Sequence, residues 1–125
     1  MTKTLELTIW GREFTLPIEY DCYKGEKVTK EQMYALNNFS VHEDWIEASK
    51  VRIEEYCREQ VLDDDNQKKD NIFSYIKPDY ILVKRENENP RVAMMCKYRY
   101  DPEHGLAVVY SVDGEVTVGI QDIIL

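Results

Sequence analysis

The chain has 125 residues, 43% of them hydrophobic and 32% charged, which suits a single folded domain over residues 1–125 and excludes a disordered tract. Its net charge of −8 (24 acidic and 16 basic residues) disfavours binding to phosphate backbones or anionic membranes and favours a basic protein partner. No apolar run approaches the roughly 18 residues of a membrane helix, and the start "MTKTLELTIWGREF" reads as structure rather than a leader, so a cytoplasmic location is expected.

Leu5, Leu7 and Ile9 alternate with polar residues, "GR" turns the chain, and Phe14, Leu16, Ile18 and Tyr20 repeat the alternation. This pattern predicts an amino-terminal β-hairpin. Pro17 donates no ladder bond, so the second strand is expected at an edge or with a bulge. Helical signals follow. "TKEQ" (Thr29–Gln32) and "SVHE" (Ser40–Glu43) both fit the capping box, in which a hydroxyl and a side chain three residues on satisfy free amides. The first predicts a short helix through Met33 and Leu36 that ends near Asn37-Asn38. The second predicts a longer one to about Val61, with Trp45, Ile46, Ser49, Ile53, Tyr56 and Cys57 on one face. "QKKDNIFSYI" predicts a third helix that stops before Pro78.

Beyond Pro78 the period returns to two, and "DYILVKRE", "RVAMMCKYRYD", "GLAVVYSV" and "EVTVGI" read as strands. Asp113-Gly114 between the last two is a hairpin signal. The expected fold is α+β: an amino-terminal β-hairpin, three helices, then a four-stranded antiparallel meander, with the helices packed on one face of the sheet.

Candidate sites are few. Asp101, Glu103 and His104 in "YDPEHG" are residue types that build metal and acid–base sites, but they crowd into one turn and lack a ligand spacing such as HExxH. They read as a structural corner, and neither a metal nor a cofactor is expected. Cys22, Cys57 and Cys96 are scattered, without disulfide or zinc spacing, and read as buried small side chains. Tyr98, Tyr100 and Tyr110 have strand spacing and suit either core packing or a partner surface. Residues 43–65 hold nine acids against three bases, −6 of the total −8. Of these, Asp44, Glu47, Glu55 and Glu59 fall off the apolar stripe, either as a solvated helix face or as a docking face for a basic partner.

"KPDYILV" and "YDPEHGLAVVYSVDGEVTVGIQDIIL" resemble an uncharacterised bacterial domain family. Its members close on an aspartate, a Glu-His-Gly corner, an apolar strand, a glycine turn and V-G-x-x-D, here Val118 to Asp122. Some members of that family resemble immunity proteins of polymorphic or contact-dependent toxin systems. The resemblance implies a non-enzymatic protein that binds and neutralises a cognate toxin, with a basic nuclease-type toxin as the expected partner. Tyr100 and His104 form a second candidate patch. The alternatives are a small metal-dependent or acid–base enzyme using Asp101, Glu103, His104 and Asp122, or a regulatory domain with another partner.

Overall fold

The computed structural model describes residues 4–21, 25, 27–60, 75–86, 90–99 and 101–124, without the side chains of 58–60. The amino-terminal alternation folds into β1 (Thr4–Ile9) and β2 (Arg12–Tyr20), paired antiparallel from Thr4↔Pro17 to Ile9↔Arg12. Trp10 and Gly11 make the turn, both with positive φ (+50° and +83°), the backbone that lets a two-residue turn follow strand twist.

The chain then passes through α1 (Lys30–Ser40), α2 (Glu43–Ala48) and α3 (Lys50–Gln60) and returns beside β2 as β3 (Ile76–Val83). β2 and β3 are parallel, with Ile18↔Ile81, Glu19↔Leu82 and Tyr20↔Val83 as partners. β4 (Val92–Tyr98), β5 (Leu106–Tyr110) and β6 (Val116–Gly119) follow as antiparallel neighbours. The result is one mixed six-stranded sheet in the order β1 to β6.

This corrects the expected fold. The hairpin is not separate from a four-stranded meander, because the helical excursion is a crossover that brings the chain back parallel to the strand it left. The third helix also fails at its end. Ile76 opens β3 rather than closing a helix, and Pro78 is absorbed at a register shift between Pro78 and Tyr80. Residues 67–74 of that expected helix lie outside the described residues. Pro17 is tolerated where the β1 ladder ends and before the β3 ladder begins at Ile18.

The helical segment is also divided differently. The Thr29 capping box forms, and α1 runs past Asn37-Asn38 because Phe39 is buried against the sheet. Ser40 stays inside α1 and donates to Asn37 O at 2.8 Å, so α2 starts after His42 without a side-chain cap. The long helix expected to Val61 is interrupted at Ser49, whose buried hydroxyl donates back to Ile46 O at 2.6 Å, a bond that bends helices.

One sheet face carries Leu7, Ile9, Leu16, Ile18, Ile81 and Met94 against Leu36, Phe39, Ile46, Ile53 and Cys57 of the helices. The opposite face has a smaller cluster, Leu82, Ala93, Met95, Ala107 and Val109, which Ile124 covers after a 3-10 turn at Gln121–Ile123. β5 is therefore buried on both faces, as are β4's apolar residues, which is why both strands read as near-continuous apolar runs.

Candidate functional site

The Asp101–Gly105 corner is built by its own hydrogen bonds. Asp101 Oδ1 accepts from His104 Nδ1 at 3.0 Å and from His104 N at 3.3 Å, while Gly105 N donates to Asp101 O at 2.8 Å. Gly105 has φ +63°, and a Cβ there would sit 2.8 Å from Cys96 O. Only glycine fits both conditions. The corner also grips the carboxyl-terminal turn: Gln121 N donates to His104 O at 3.1 Å, and Gln121 Nε2 donates to Cys96 O at 3.0 Å.

His104 is exposed, and the hydrogen bond to Asp101 raises its pKa, with the nearby carboxylates of Asp101, Glu103 and Asp122 adding to the effect. Glu103 and Asp122 are themselves solvent-facing. Among the described residues no group of three or more His, Cys, Asp or Glu side chains is placed to hold a metal ion. The arrangement is that of a clamp, with the carboxylate spent on the turn it closes.

The acidic residues picked out in the sequence are split by the interruption at Ser49. Asp44 and Glu47 are exposed on α2, which packs against β1, and Glu55 is exposed on α3, which packs against β6. Glu47 pairs with Lys50 at 3.1 Å on the surface. The Glu59 side chain and Tyr100 lie outside the described residues.

The other strand tyrosines belong to the core. Tyr98 and Tyr110 are buried; the Tyr110 hydroxyl shares a 3.0 Å hydrogen bond with Ser49 Oγ, and its ring lies 5.1 Å from Phe39. Burial raises the Tyr110 phenol, opposed by the Ser49 bond. Cys57 and Cys96 are buried free thiols, both pushed up by burial, so neither has the character of a reactive thiolate. Cys22 lies outside the described residues.

A polar surface that the sequence reading passed over lies beside β1. Glu6 and Thr8 of β1, Glu13 and Thr15 of β2, and Glu43 at the start of α2 line an open depression of about 480 Å³. Glu6, Thr8, Glu13 and Thr15 are the polar half of the alternation that revealed the hairpin. The available signal was their shared face. The hairpin's docking beside Glu43 depends on tertiary packing.

A family model described as a domain of unknown function, DUF6985, matches residues 1–125. The chain belongs to the DUF6985 family. No curated protein and no solved structure matches it. The DUF6985 match takes in the hairpin and the helices as well as the carboxyl-terminal strands on which the sequence resemblance rested. Among the described residues of this DUF6985 chain, no helix is long and apolar enough to cross a membrane.

Proposed function

We propose that this DUF6985 protein works by binding, as a cytoplasmic bacterial immunity protein that neutralises a cognate toxin domain of the basic, nuclease type. The observation that carries this reading is exposed acidic charge on several elements: Asp44 and Glu47 on α2, Glu55 on α3, and Glu6 and Glu13 on the hairpin, within a chain of net charge −8. A nuclease grips phosphates with lysine and arginine, so its cleft presents the opposite potential. An acidic protein is steered to such a cleft and covers it in place of nucleic acid. The use of Asp101 and His104 within their own turn supports binding over acid–base chemistry at that corner.

The test is to look for a toxin gene beside this one and to co-express the toxin domain with this protein. Restored growth and co-purification of the two proteins as a complex are the expected results. Undiminished toxicity with no complex would overturn the reading.

A further inference from the structure

We propose that the β1 edge is a docking surface for an extended basic segment of a partner protein, which adds to the sheet as a further strand. The proposal rests on the reading of this protein as a binding partner and names where, and by what chemistry, the partner is held.

Among the described residues β1 is hydrogen-bonded on one side only, to β2, in unbroken register from Thr4 to Ile9. No described residue hydrogen-bonds the other side of β1, whose N–H and C=O groups are available to an approaching strand. Natural edges are commonly blunted by charged side chains, lysine above all, by proline, a bulge, shortness or a covering helix, and β1 has Glu6 as its one charge and α2 packed against it. "TLELTI" has no lysine, proline or bulge, and it is six residues long, whereas the opposite edge, β6, is four residues long and followed by a 3-10 turn. An open edge of this kind pairs with an extended peptide through main-chain hydrogen bonds, and flanking side chains set the choice of peptide.

Those side chains are acidic here. Glu6, Glu13 and Glu43 line the depression beside the edge with Thr8 and Thr15, and among the described residues no lysine or arginine lines it. Among the described residues none of these three carboxylates is held in an ion pair. A second copy of the chain is a poor occupant, because its own β1, TLELTI, brings no cation to complement Glu6, and pairing about Glu6 would set two carboxylates directly opposite each other. A strand that alternates lysine or arginine with apolar residues fits on both counts. Its cations would flank Glu6 on the outer surface, with Glu13 one strand further in on β2, and its apolar residues would continue the inner row of Leu5, which is half-buried, and Leu7.

The probe is a short capped peptide alternating lysine with valine, with a glutamate–valine peptide as control, and the readout is amide hydrogen exchange of the full chain followed by NMR. The lysine–valine peptide is expected to slow exchange of β1 amides by about tenfold or more, and the control to leave them unchanged. Glu6→Lys combined with Glu13→Lys is expected to weaken peptide binding by about tenfold with an unaltered circular dichroism spectrum, as both side chains are solvent-facing. Protection at another element, or none at all, would overturn the proposal; the wild-type experiment alone decides this if the variant misfolds. Concentration-dependent protection of β1 without peptide would overturn it too, by assigning the edge to a second copy. Binding of the neighbouring toxin with β1 still exchanging freely would overturn the edge and leave the immunity reading standing. Peptide capture at β1 without any toxin binding would do the reverse.

Discussion

Replacing Gly105 with alanine tests whether the Asp101–Gly105 corner is a structural clamp. Gly105 sits at φ +63°, where an L side chain costs about 1–2 kcal/mol. The new Cβ would lie 2.7 Å from Gln121 Nε2 and 2.8 Å from Cys96 O. The side chain can swing away, but doing so loses its 3.0 Å bond to Cys96 O, worth about 1 kcal/mol. Cys96 is fully buried and its O belongs to the strand backbone, so it cannot yield in the same way. The sum is about 2–3 kcal/mol, before any distortion of β4. For a domain of this size that corresponds to a fall in Tm of about 7–12 °C. Urea unfolding followed by circular dichroism measures the free energy, and a thermal scan checks it. A loss below about 0.5 kcal/mol, the range of a neutral surface change, would refute the clamp.

Ile53 is fully buried between helix and sheet, so Ile53→Ala should cost about 2–5 kcal/mol, while Glu55→Gln on the exposed side should cost under about 0.5 kcal/mol in the same unfolding assay. The Asp101 hydrogen bond raises the folded pKa of His104 above its ordinary 6.5, so any stability it contributes is present in full below that value and is lost as pH rises through the folded pKa. NMR titration should give a His104 midpoint above 6.5, and Asp101→Asn should bring it down; an unchanged midpoint in the variant would contradict the pairing. Titration calorimetry with zinc, manganese and calcium should show nothing tighter than about 10 μM, a weak affinity; tight binding lost in His104→Ala would reverse that expectation.

Local structure and the antiparallel pairings were largely legible, and the joining of β2 to β3 was not. Period-two alternation located β1 and β2, apolar strand-forming runs between turn signals located β3 to β6, and the Thr29–Gln32 pair marked the start of α1, because these signals depend only on near neighbours. The parallel joining of β2 to β3 depends on where a long helical excursion lands, which no local pattern encodes. Ser49 was placed correctly on the apolar stripe, yet the interruption there arises from its bonds to Ile46 O and to Tyr110, the latter 61 residues away in sequence. Asp113-Gly114 did mark a turn, but it spans Ser111 to Glu115, and only Gly114 takes a positive φ. The corner was legible as a corner because aspartate, proline and glycine have turn chemistry of their own. The surface joining Glu6, Glu13 and Glu43 was hidden, since it forms only when α2 docks beside the hairpin.

The central question is whether this protein captures a basic partner by charge-steered association. Surface plasmon resonance against a basic nuclease-type toxin domain, the partner proposed above, run at low and at high salt, puts that question most directly. Association should be fast at low salt and slow by about tenfold or more as salt shortens the Debye length, and neutralising Asp44, Glu47, Glu55 and Glu59 together should flatten that dependence. Absence of binding, or an association rate indifferent to salt, would contradict it.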